Sequence, residues 1–219
     1  MQMRSKTLLA VLCTTFLLAS SVVGTLAYLT DKTEVNNTFT VGDIQITLDE
    51  AQVTPEGVPV TDAERVLGNE YHLVPGQTYT KDPTLTIKKG SEESYVRMLV
   101  TISCISQLRD ALGADFLPQD HVTGWDSSIW IYETTTEDTQ TNTVTYEFRY
   151  HKTVDAYESD EDIVLEPLFT AFTLPGKVTK TELAALSEME ITVAGHAIQV
   201  LGFESQDAAW TTFEAEQTN

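Results

Sequence analysis

Along most of this chain apolar and polar residues alternate one by one, and a period of two is the signature of β-strands with one buried face. Ile44, Ile46 and Leu48 alternate with Asp43, Gln45, Thr47 and Asp49. Leu85 and Ile87 alternate with Thr84, Thr86 and Lys88. Val96, Met98, Val100, Ile102 and Cys104 form one face of a longer run whose other face carries Arg97, Thr101 and Ser103. This predicts that Cys104 is a buried small hydrophobe. Ile129 and Ile131 alternate with Trp130 and Tyr132, and Val144, Tyr146, Phe148 and Tyr150 oppose Thr143, Thr145, Glu147 and Arg149. Residues 163–174 are more continuously apolar, and the run 189–203 changes phase around Gly195, which predicts a β-bulge there.

Turn signals separate these runs: Pro55-Glu56-Gly57, Pro75-Gly76, Lys89-Gly90-Ser91 and Pro175-Gly176. Residues 134–142 read as a polar hairpin tip or short loop. Helical signals are brief. Thr179 with Glu182 makes a capping box, Ser205 is placed to cap a turn carrying Trp210 and Phe213, and residues 106–112 fit another helical turn. The expected fold is all-β: a single jelly-roll-like β-sandwich over residues 28–219 with a few short helices, preceded by an N-terminal signal helix.

That signal segment is residues 1–27. Arg4 and Lys6 precede an uncharged run from 7 to 30, and Thr25 and Ala27 stand at the −3 and −1 positions of a cut before Tyr28. The alternative is a retained anchor, since about 20 apolar residues span a bilayer. Either way the remainder is expected to be exported, secreted or held at the cell surface, with membrane contact only through the uncleaved segment. The precursor carries 33 acidic and 13 basic residues, net −20. Removing residues 1–27 takes away two basic residues and no acidic one, so the mature chain stands at 11 − 33 = −22. Such a surface repels nucleic acid and anionic headgroups. One cysteine, Cys104, remains, so no intramolecular disulfide can form within the mature chain.

Catalytic motifs are sparse. The histidines, His72, His121, His151 and His196, show no metal-binding spacing, and there is no GxSxG, P-loop or GxGxxG pattern. His196, inside the last strand, reads as a satisfied structural residue. Glu158, Asp160, Glu161 and Asp162 crowd into five residues. Oxygen-rich runs of this kind hold Ca2+, which makes these four the candidate calcium ligands; the competing reading is a solvated charge run. No confident metal site and no other cofactor emerges. Trp125, Trp130 and Tyr132 lie close in sequence and suggest a stacking surface for glycan, against a core role.

The block GTLAYLTDKTEVNNTFTVGDIQITLDE, residues 24–50, resembles the export-and-start signature of proteins processed by SipW-type signal peptidases. Its Asn37, Phe39, Gly42, Ile44 and Ile46 match the family's opening strand pattern. Leu73-Val74-Pro75-Gly76 with Lys81-Asp82-Pro83, Ser94-Tyr95-Val96-Arg97, and residues 168–203 are similar to later segments of the same family. That family includes TasA-like biofilm-matrix fibre subunits and camelysin-type surface proteins of Gram-positive bacteria. The resemblance implies a jelly roll, a SipW-like peptidase as the export partner, and self-assembly or association with matrix proteins. It also implies a donor strand just after the cleavage site, here Tyr28 to about Thr40, with Tyr28, Leu29, Val35 and Phe39 as anchors. Camelysin-like relatives are classed as metallopeptidases, but no zinc motif is present, and a non-enzymatic structural or surface protein is expected. The alternative is a secreted module binding glycan or a host surface.

Overall fold

The computed structural model describes residues 44–217. Thr25, Ala27, Tyr28, Leu29, Val35 and Phe39, and with them the signal segment and the expected donor strand, lie outside those residues. The described chain is mostly β, with three α-helices.

The elements run β1 (Ile46–Asp49), β2 (Thr78–Thr80), β3 (Thr84–Ile87), β4 (Ser94–Ile102), α1 (Ile105–Leu112), β5 (Val122–Thr123), β6 (Trp130–Asp138), β7 (Thr143–Tyr150), β8 (Ile163–Val164), β9 (Ala171–Thr173), α2 (Lys180–Ala185), β10 (Ile191–Gln199) and α3 (Gln206–Gln217). They form a four-stranded sheet, β10-β4-β7-β6, and two three-stranded sheets, β1-β3-β8 and β2-β9-β5. Every pairing is antiparallel.

The alternation in sequence becomes the core. Val96, Met98, Val100 and Ile102 of β4 are buried, and Met98, Val100 and Ile102 pair with Phe148, Tyr146 and Val144 of β7. Leu85 and Ile87 of β3 belong to the same apolar cluster and are fully buried. β3 is buried along its whole length.

Four local expectations change. The phase shift at Gly195 is not a bulge: β10 pairs with β4 without interruption from Ile191↔Ile102 to Gln199↔Ser94. The second half of β10 is apolar on both faces because both are covered. Ala197 joins the main core, while Ile198 packs with Ala209, Trp210 and Phe213 of α3. The bulge in this sheet falls instead between Tyr132 and Thr134 of β6. Residues 134–138 continue β6, which leaves a tip of residues 139–142 closed by the Asp138 carboxylate accepting from the Gln140 N–H at 2.8 Å.

Cys104 is not in the core. β4 ends at Ile102, and Cys104 turns into the left-handed region (φ 54°) at the start of α1, half-buried, with its thiol near the Glu188 carbonyl at 3.8 Å. The apolar stretch 163–174 is split between β8 and β9 by a segment that buries Leu165, Leu168 and Phe169.

The helices form where their caps are. Thr179 and Glu182 make the reciprocal capping box of α2, with Thr179 N–H donating to Glu182 Oε2 at 2.7 Å. Ser205 Oγ accepts from the Ala208 N–H at 3.2 Å and starts α3, which runs twelve residues rather than one turn. Trp210 and Phe213, three apart, share the face of α3 that meets the sheet.

Candidate functional site

β6 is one of the two outer strands of the four-stranded sheet, β10 being the other; it is nine residues long, and among the described residues it pairs with β7 alone. From Ile131 to Asp138 every residue is exposed. An edge strand offers a row of main-chain donors and acceptors to an incoming strand, and Thr134, Thr135 and Thr136 give it β-propensity without apolar stickiness. Two features moderate the edge. The bulge after Tyr132 interrupts its register and holds Glu133, and its far end carries Glu137 and Asp138. Glu137 is held by both terminal nitrogens of Arg109, at 2.8 and 2.9 Å, and that pairing keeps its carboxyl below the usual range. Arg149 reaches Glu133 at 3.6 Å. Nothing in the sequence run 134–142 alone showed this edge, because its polar side chains read as a loop when both of their faces meet solvent.

The aromatic trio is not a platform. Trp130 is fully buried, its indole N–H donating to the Glu166 carbonyl at 2.8 Å and its ring tilted against Tyr150 at 5.0 Å. Trp125 is half-buried and donates to the Trp130 carbonyl at 2.8 Å. Tyr132 alone stands largely exposed, at 45 %. The first two are core residues, as the core reading of these aromatics had it, and the alternative of a stacking surface built from all three is not formed.

The acidic run is exposed, and its Asp162 carboxylate turns to the neighbouring lysines. Asp162 pairs with Lys88 Nζ and accepts from the Lys89 N–H, both at 3.0 Å, which lowers its pKa. Ser159 Oγ donates to the Glu161 carbonyl at 2.6 Å. Among the described residues no three His, Cys, Asp or Glu side chains are grouped to hold a metal ion. The calcium set Glu158, Asp160, Glu161 and Asp162 therefore finds no ligand cluster. His196 is placed as a structural residue, its Nδ1 accepting from Arg97 Nε at 3.3 Å and its ring 5.0 Å from Phe213.

An apolar cavity of about 80 Å³ lies under the four-stranded sheet, walled by Phe116, Trp125, Tyr146, Phe148, Phe172 and Ile191 among others. Its half-buried His121 stacks on Phe116 at 5.2 Å, and burial pushes the imidazole below its ordinary pKa. The lining comes from strands and loops far apart in sequence, which is why no motif announced it.

No family model, curated protein or solved structure matches the chain.

Proposed function

We propose that this chain is an exported, non-enzymatic structural protein of the cell surface or extracellular matrix, processed by a SipW-like signal peptidase and assembling by strand addition. In this reading residues 28–40 of one copy pair with the edge of β6 in the next. The observation that carries it is the nine-residue β6, paired with β7 on one side and with no described strand on its outer side. Main-chain hydrogen bonds supply the affinity, and Tyr28, Leu29, Val35 and Phe39 supply the register. A donor on one side and an acceptor on another make a head-to-tail contact, which builds filaments when it does not close into a ring. The jelly-roll assignment, the TasA- and camelysin-like family and the Gram-positive source belong to the same proposal. They rest on the opening block of residues 24–50 and on antiparallel sheets sharing one apolar core.

The test compares residues 28–219 with residues 41–219 by light scattering and negative-stain microscopy across salt and Ca2+ concentrations. The longer form assembles into filaments and the shorter stays monomeric. Equal behaviour of the two forms, or no assembly in any condition, overturns the reading.

A further inference from the structure

At the end of β1 one buried carboxylate holds an amine and a carboxamide together. Glu50 is 3 % exposed and Lys81 7 %. Lys81 Nζ donates to Glu50 Oε2 at 2.6 Å. The other oxygen, Oε1, accepts from Asn69 Nδ2 at 2.8 Å. The amide is fixed at both of its ends: Nδ2 also donates to the Ala51 carbonyl at 2.9 Å, and Oδ1 accepts from the Val53 N–H at 2.8 Å. Tyr71 borders the group, its hydroxyl donating to the Thr80 carbonyl at 2.9 Å, and its ring packs edge-on to Tyr79 and Phe172. Burial, with the Glu50 charge next, pushes the Tyr71 phenol up.

An ammonium has three hydrogens to place. Among the described residues Glu50 is the single acceptor within hydrogen-bond reach of Nζ. An amide nitrogen at that position needs only one. The same carboxylate is placed to take a proton from the amine and to return one to the carboxamide, and the Val53 N–H already sits on the oxygen where negative charge would develop.

We propose that Lys81 and Asn69 join in an intramolecular isopeptide bond, with Glu50 as the proton carrier. Lys81 first passes one proton to Glu50 along the 2.6 Å hydrogen bond and becomes a neutral amine. Its lone pair attacks Asn69 Cγ, and the oxyanion on Oδ1 is met by the Val53 N–H. Glu50 delivers its proton to Nδ2, the Cγ–Nδ2 bond breaks, and ammonia leaves. The carboxylate then takes the second proton from Nζ. Nζ keeps one hydrogen, ammonia carries three, and Glu50 holds the fifth until it exchanges with water. No oxidation state changes and no co-reactant is consumed. Holding the two reacting groups on one carboxylate replaces an encounter by a fixed geometry. The product closes the chain from Asn69 to Lys81 into a ring, in a mature domain that has no disulfide to do so.

Intact mass spectrometry of the folded, purified chain tests this, with trypsin mapping. The expected mass is below that of the sequence by one ammonia. An acylated Lys81 is not cut, so the map contains one peptide, residues 66–88, carrying the same loss. The Glu50→Gln variant has one amide oxygen left to accept from Lys81 or Asn69 and takes up no proton, so, with its fold checked by circular dichroism, it shows the full mass. A folded wild-type chain at full mass overturns the proposal. So does an ammonia loss with cleavage after Lys81 intact, which marks a cyclised Asn69 alone. A Glu50→Gln chain that still forms the link overturns the role of Glu50. The wild-type mass and map decide the bond itself even if the variant does not fold.

Discussion

His196 stands between Arg97 and Phe213 on the outer face of β10, with Glu214 beside Arg97. Burial, with the Arg97 charge next, lowers its pKa to about 4. The unfolded chain, at about 6.5, binds the proton first. This contribution to stability is therefore in place above pH 6.5 and falls as pH drops toward 4, by about 3 kcal/mol in all. His196→Gln is expected to flatten that part of the stability–pH curve, measured by urea unfolding at pH 7, 5.5 and 4.5. Gly57 gives a second prediction. It adopts φ 76°, and a Cβ there would stand 2.7 Å from Tyr79 Cα. Gly57→Ala should cost about 2–4 kcal/mol, from the left-handed strain and the overlap together, and the same unfolding assay reads it. At this scale the sequence was partly legible. Alternation placed Val96 to Ile102 correctly, but it ran on through Cys104, because periodicity does not register the φ reversal that ends β4.

Among the elements, α3 shows most clearly what sequence pattern misses. Its cap and its Trp210–Phe213 spacing were readable, yet its partner was not. Arg97 lies on what the alternation marks as the polar face of β4, and it is 2 % exposed because α3 covers it. Its guanidinium lies 4.3 Å from the Trp210 ring centre and 2.8 Å from Glu214 Oε1, with Glu147 at 3.5 Å. Arg149 binds Asp207 at the start of the same helix. A pairing between residues more than a hundred positions apart has no signature in local pattern. Trp210 is 1 % exposed, and Trp210→Ala is expected to cost about 3–5 kcal/mol through the lost packing. The cation under the ring loses its cover at the same time. Chemical denaturation measures the loss, and amide exchange should show it first in α3. β6 was legible only as far as Tyr132, since a strand with both faces in solvent lacks the alternation that identifies the others.

At the level of the whole molecule, the charge of −22 (11 − 33) that the proposed cleavage would leave bears on the proposed association. The proposed donor segment carries Asp31 and Glu34 against Lys32, and the β6 edge proposed to receive it carries Glu133, Glu137 and Asp138. Like charges on both sides slow the approach, and salt shortens their reach to about 8 Å at physiological ionic strength. Assembly of residues 28–219 should therefore accelerate with rising NaCl, followed by light scattering. A decline with salt would mean that attraction between charges, and not strand pairing, drives association. The measurement closest to the central claim is hydrogen exchange at β6, residues 130–138, in residues 28–219 before and after assembly. Strand addition predicts that edge amides of β6 open to exchange in the monomer become protected in the assembled form, and that residues 28–40 gain protection with them. Filaments in which β6 exchanges as fast as in the monomer would contradict it.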